Sequence, residues 1–345
     1  MKKTLLASAI AAVSFSGAAL AQEDTSASQL AAKMDSMPTV YGNIQYAIAH
    51  DNVDGGDSEL SHFDNGSTLG IKHDHEVAQG ITGFFKLELE GLAADDKDRE
   101  SGLEDLDEAY IGIKGDSFGQ IWVGSDDSAY ERAVDEIANY YEVATLNIGA
   151  DYTTGEGDLI QYSSPSFGGL TLMAAVQING EGDFLDADDD GVNDLGDKGN
   201  KKSYPYQLAA VYEMDALEFA VAMDSNENAD SASNENTYGL RASYDMGALR
   251  VTGEYHTTKD ASDTFGVIGY YSMGANQFAL SYEMNVADDA ADTETTTVTL
   301  QALHNLSDHM YVYFEGYLGG GDDGVYDVPG ESERSIASIG AVYAF

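Results

Sequence analysis

The chain ends in Ser338-Ile339-Gly340-Ala341-Val342-Tyr343-Ala344-Phe345, a strict alternation that sets Ile339, Ala341, Tyr343 and Phe345 on one side. An ordered terminus must recover the conformational entropy it gives up, so chain ends in water are usually polar and frayed. This segment reads instead as a closing strand whose apolar side meets an apolar medium.

The same period of two runs through the chain. In "VYGNIQYAI" Val40, Ile44, Tyr46 and Ile48 alternate with Tyr41, Asn43 and Gln45; in "GFFKLELE" Phe85, Leu87 and Leu89 alternate with Lys86, Glu88 and Glu90. Leu217, Phe219, Val221 and Met223 repeat the pattern, as do Phe278, Leu280, Tyr282 and Met284. One side is apolar and uncharged, and the other carries Lys, Glu, Gln, Asn and Arg. A sheet in water would bury its apolar side under a second sheet or under helices, and no helical pattern long enough to cover it is present. A closed barrel in a membrane satisfies the pattern directly, with the apolar side toward lipid, the polar side toward a lumen and no free edge.

Connections alternate between short and long. Short ones include "EMD", "DMG" and "SMGA", which recur in "YEMDAL", "YDMGAL" and "YSMGAN" as chain reversals, and "HDHEVAQ", read as a turn in which His73 and His75 are solvated, the alternative being a metal held by the two histidines. Long acidic or Gly-rich stretches run over 51–66, 91–104, 126–157, 180–203, 224–236, 258–263, 286–295 and 319–334. About sixteen strands with two unlike ends form an up-and-down membrane barrel. The fold class is therefore all-β, with short periplasmic turns and long extracellular loops.

Residues 1–21, "MKKTLLASAIAAVSFSGAALA", have the layout of a secretory signal peptide: Lys2 and Lys3, an apolar stretch, and a small-residue end at Ala19-Leu20-Ala21. Residues 22–37 form a short periplasmic extension, and 38–345 the barrel. The chain carries 61 acidic against 16 basic residues, a net charge of −45, and no cysteine. Such a surface disfavours nucleic acid as a partner, and the absence of cysteine excludes disulfides and thiolate chemistry. The acidity has two readings, a salt-adapted surface and a passage that attracts cations.

The chain resembles the general diffusion porins of Gram-negative outer membranes. The resemblance is carried by "VYGNIQYAI", "STLGIKHDHEVAQGITGFFKLELEG", "EAYIGIKGDSFGQIWVGSDDSAY", "IQYSSPSFGGLTL" and "GAVYAF", taken in order. It implies a sixteen-stranded barrel in the outer membrane, a homotrimer, and a third long loop folded inward to narrow the pore. Family members commonly carry arginine where this chain has Asn43, Thr68, Asp107, Ser125 and Gln161, so the basic wall opposite the loop is depleted.

The expected constriction comprises Asp126, Asp127, Glu131, Arg132, Asp135, Glu136 and Glu142, and the expected lumen lining Asn43, Lys72, Lys86, Lys114, Gln161, Arg241 and Arg250. Carboxylates clustered at a narrowing concentrate cations. The expected function is passive, cation-preferring diffusion of small hydrophilic solutes, with no catalytic residue, no cofactor and no local hydrolase signature. Rival readings are a substrate-specific channel, a barrel hydrolase and an acidic-loop adhesin. In "DADDDGVNDLGD", Asp186, Asp188, Asp190, Asp194 and Asp197 fall at calcium-loop spacing around Gly191, though Asp replaces the usual final Glu and no helix flanks it. The alternative is a plain acidic loop.

Overall fold

The computed structural model describes residues 37–92, 105–178, 204–226 and 235–345. The expected signal peptide, most of the expected periplasmic extension and the candidate calcium loop with Asp186, Asp188, Asp190, Asp194 and Asp197 lie outside the described residues. The elements are β1 (Thr39–Val53), β2 (Ser58–Asp64), β3 (Leu69–Ala78), β4 (Ile81–Glu90), β5 (Asp105–Gly115), β6 (Gly119–Ser125), α1 (Ala129–Val134), β7 (Leu159–Ser163) and β8 (Leu170–Gln177). They continue with β9 (Tyr206–Met214), β10 (Leu217–Asp224), β11 (Thr237–Asp245), β12 (Leu249–Thr258), β13 (Ser262–Met273), β14 (Asn276–Ala287), β15 (Glu294–Ser307), β16 (Met310–Gly321) and β17 (Arg334–Ala344).

From β3 to β17 each strand pairs antiparallel with the next, and β17 closes the ring on β1 from Asn43↔Ala344 to Val53↔Arg334. The other edge of β1 pairs with both β2 and β3. These two segments are one stave broken at residues 65–68, so seventeen strands make a closed sixteen-stave barrel. Asp64 causes the break locally, because its carboxylate accepts the Gly66 and Ser67 amides that would otherwise serve the ladder.

The alternation decides which way each residue faces. Ile339 and Tyr343 are 55% and 52% exposed, whereas their neighbours Ser338 and Val342 are buried. Phe219, Val221, Leu240, Val267, Leu280 and Leu318 are exposed on the same outer surface. Outward aromatics mark both borders: Tyr212, Tyr244, Tyr271 and Tyr343 near the short turns, and Tyr206, Tyr238, Phe265 and Tyr282 nearer the long loops. This distribution suits the two membrane interfaces.

Two expectations are corrected. "HDHE" is not a turn: His73 to Glu76 lie inside β3, and the reversal comes at Gln79-Gly80, with Gly80 at φ +75°. The stretch 51–66 is mostly strand, since β1 runs to Val53 and β2 starts at Ser58. The repeat "EMD, DMG, SMG" has a structural reason: its third residue, Asp215, Gly247 or Gly274, takes a positive φ of 53°, 82° or 62° at each reversal.

Arginine at the exposed mid-strand position Leu280 places a charge in the hydrocarbon. Leu280→Arg is expected to cost about 2–4 kcal/mol in reversible unfolding from lipid vesicles; an unchanged unfolding midpoint would contradict the lipid-facing assignment.

Candidate functional site

The segment from Asp126 to Asp158, between β6 and β7, folds into the barrel, and the packed apolar core of the molecule lies beneath it. Ser128 caps α1 by accepting the Glu131 amide. The buried face of α1, Tyr130, Ala133 and Val134, packs on Ala209, Ala220 and Ala222 of β9 and β10. Further on, Ile137, Tyr141 and Leu146 pack on Ile268, Ala279 and Tyr317. Gly239 and Gly266 are required under the loop: a Cβ at Gly239 would lie 2.6 Å from Tyr130 Oη, and one at Gly266 would lie 2.6 Å from Ile137 Cδ1.

Acids of the inner wall hold the loop backbone. Asp224 of β10 accepts the Thr154 amide at 3.1 Å and its hydroxyl at 2.6 Å. Glu254 of β12 accepts the amides of Glu136 at 2.8 Å and Ile137 at 3.4 Å. Glu283 of β14 accepts the Gly149 amide at 3.3 Å. Glu315 of β16 accepts those of Glu142 at 2.8 Å and Val143 at 3.0 Å, and Gln301 and Tyr317 donate to the same carboxylate. On the far side, Asn65 at the break between β2 and β3 donates to the Glu142 carbonyl at 2.7 Å. The loop thus leans on β8–β16 and leaves the passage between its inner edge and β3–β6.

The expected constriction residues divide. Asp127, Glu131, Arg132, Glu136 and Glu142 are partly exposed, and an open recess of about 500 Å³ runs along Asp127, Glu131, Arg132, Asp135, Glu136, Asn139, Tyr140 and Arg241. Asp126 and Asp135 are both buried; Asp135 still borders that recess, whereas Asp126 does not. The Trp122 indole donates to Asp126 at 2.6 Å, and Asp135 is packed against β12. Burial pushes the Asp126 carboxyl up to about 6 and that of Asp135 up to about 7, against the pull of Arg132 on the first and His256 on the second. Burial and the neighbouring Glu131 and Asp127 push Glu156 up to about 7. Burial also opposes ionisation of Glu136, but Arg250 and Arg241 outweigh it and hold that carboxyl below the usual range.

The expected basic lumen residues are largely paired. Arg241 bonds Glu136 at 2.5 Å and Glu218 at 2.6 Å, and Arg250 reaches the same two acids at 3.0 and 3.3 Å. Lys114 pairs with Asp74 at 2.6 Å, Lys86 with Glu88 and Glu108, and Lys72 lies 4.8 Å over the Tyr41 ring. Arg132 stacks 4.7 Å over Trp122 and donates to Gln161 at 2.9 Å. Gln161 also donates to the Asp127 carbonyl, and Asn43 donates to Thr68.

Sequence reasoning missed Asp224, Glu254, Glu283 and Glu315 as anchors of the loop and missed Glu108 as a lumen residue, whereas Glu88 was placed on the lumen side and Asp107 on the wall opposite the loop. The available signal was a mid-strand acid in lumen register, as in "TGEYH", "LSYEMN" and "YFEGY". Asp107 is the extra residue where the β4–β5 register shifts, which turns it inward beside Glu88.

These features define a membrane-spanning barrel whose bore is narrowed by an inward-folded loop. The chain belongs to the Gram-negative porin family, whose model matches residues 7–324. A monosaccharide porin from a Halomonas species and the major outer membrane protein of Halomonas elongata are each 30% identical over 390 aligned residues, spanning all of this chain and all of theirs. The anion-selective porin from Comamonas acidovorans shares the fold at TM-score 0.67 and 17% identity, covering 90% of this chain and 99% of its own. OmpF of Salmonella typhi, solved with daunomycin, does so at 0.69 and 16%, covering 90% and 98%. The protein is thus a channel of the Gram-negative outer membrane, not an enzyme.

Glu315→Ala removes the acceptor of two loop amides and strands the Gln301 and Tyr317 donors, at about 1–3 kcal/mol for each buried group left bare. The expected result is a folded barrel with noisier, larger single-channel currents; unaltered current noise would mean that Glu315 does not hold the loop.

Proposed function

We propose that this porin passes small hydrophilic solutes by passive diffusion and prefers cations. The observation supporting this is the unbalanced acid strip along the open side of the loop. Glu90 and Glu108 act electrostatically on Glu156, and Glu108 also acts on Asp126, so the β4–β5 wall and the loop root share one negative field. Glu88, Asp107, Asp127 and Glu131 extend that strip. Of the nearby cations, Lys86 is spent on Glu88 and Glu108, while Arg132 is held flat on Trp122. Carboxylates in excess at a narrowing raise the local cation concentration and repel anions, and salt weakens the effect because the Debye length falls from about 10 Å at 0.1 M to about 3 Å at 1 M. Uncharged sugars are further candidate solutes for the same passage, a reading favoured by the 30% identical relative named as a monosaccharide porin. Three copies per channel unit follow the family pattern, and cross-linking in native outer membranes to a species other than the trimer would overturn that part.

Reversal potentials across planar bilayers in a KCl gradient should show cation preference, stronger in dilute than in concentrated salt. Anion preference would reject the reading. Glu108→Gln combined with Asp127→Asn should lower the permeability ratio without closing the channel. Because burial raises Asp126 and Glu156 to about 6 and 7, their charge is lost as pH falls through neutrality rather than near pH 4. Cation preference should therefore decline between pH 8 and pH 5; a flat profile over that interval would show that these two carboxyls do not contribute.

A further inference from the structure

Where the loop meets β12, three ionisable side chains converge. Asp135 ends α1, and Glu254 and His256 project from β12 toward the lumen. They are 6%, 7% and 3% exposed. One donor atom from each lies within 4.8 Å of the other two, and His256 Nε2 is 3.7 Å from Glu254 Oε2. Arg241, which pairs with Glu254 in the β11–β12 register, is taken up by Glu136 and Glu218.

Among the described residues, His256 Nε2 and Asp135 Oδ1 have no hydrogen-bond partner. Buried polar atoms of native proteins nearly always have one, so a bare pair at the same spot calls for an explanation. The surrounding groups orient the three side chains as a ligand set would be oriented. The Glu136 and Ile137 amides fix Glu254, the Ala150 amide donates to Asp135, and Tyr130 Oη lies 2.8 Å from His256 Nδ1. With Nδ1–H donated to the Tyr130 oxygen, the Nε2 lone pair points into the cluster, the arrangement by which second-shell oxygens hold metal-binding histidines.

We propose that Asp135, Glu254 and His256 form a binding site for a divalent first-row transition ion such as Zn²⁺, which ties the inward loop to the barrel wall. Donors at about 2.0–2.2 Å from one ion lie at most about 4.4 Å apart, so a small inward closure completes the set. The ion's two positive charges balance the two carboxylates. The imidazole nitrogen selects zinc-like ions over calcium and magnesium, which take oxygen ligands. Since one ligand belongs to the loop and two to the wall, the ion couples the position of the constriction to metal supply.

The test uses the full chain in detergent, in a His73→Ala/His75→Ala background that removes the exposed, stacked histidine pair, after stripping with EDTA. Calorimetric titration with zinc chloride should show one saturable site per chain and a raised melting midpoint reversed by EDTA. His256→Gln and Asp135→Asn should each lose that site while still migrating as folded barrels on unheated gels. Zinc-edge X-ray absorption of the loaded background protein should show one imidazole with oxygen ligands, a readout that does not depend on the variants folding. No saturable heat, unchanged stoichiometry in both variants, or a shell of two or more imidazoles would overturn the proposal.

Discussion

A loop folded into the bore of a barrel must find partners for its amides, and the wall supplies carboxylates to accept them. Asp224, Glu254, Glu283 and Glu315 sit on alternate strands, β10, β12, β14 and β16, and each receives donors from the loop. A carboxyl oxygen accepts, so it matches N–H groups, and where the group is ionised the bond belongs to the stronger, charge-assisted class, worth about 1.5–3 kcal/mol. Apolar contacts fill the space between these anchors: Tyr130, Ile137 and Tyr141 occupy hollows above Gly239, Gly266 and Tyr317. The bore is therefore set by where the wall acids stand.

That anchoring determines which charges remain for solutes. Glu315 and Glu254 are covered by the loop they hold, and Arg241 and Arg250 are committed to Glu136 and Glu218. What stays open lies on the β3–β6 side; flanking it, Asn43 of β1 donates to Thr68, and Gln161 of β7 meets loop carbonyls and Arg132. The wall positions at which the resemblance leads one to expect arginine, Asn43, Thr68, Asp107, Ser125 and Gln161, are neutral or acidic. Under the proposed reading, the acidity of the chain, with its net charge of −45, extends into the passage.

The barrel was legible in the sequence because period two is set by the backbone and recurs regardless of what any one side chain contacts. Ile339, Leu280 and Val221 face outward as their alternation demanded. The inner anchors were not legible, since an acid in lumen register looks the same whether it meets water or a loop amide. Glu254 and Glu108 differ only in what the loop covers, and that depends on contacts more than a hundred residues apart in the chain, such as Glu254 with Glu136. The same limit explains Asp126 and Asp135, expected at the constriction and buried against Trp122 and β12, with Asp135 at the border of the recess. The break at 65–68 escaped notice because it depends on one Asp64 side chain capturing two amides.

Thiol accessibility tests this arrangement most directly, because the chain has no cysteine of its own. Asp127→Cys stands on the open edge of the loop, and Ser281→Cys stands behind it, 2% exposed under the Tyr141 hydroxyl. A cationic methanethiosulfonate reagent added to single channels should cut the current of the first variant and leave the second unchanged. Rapid modification at position 281, or none at 127, would mean that the loop does not lie against the β8–β16 wall.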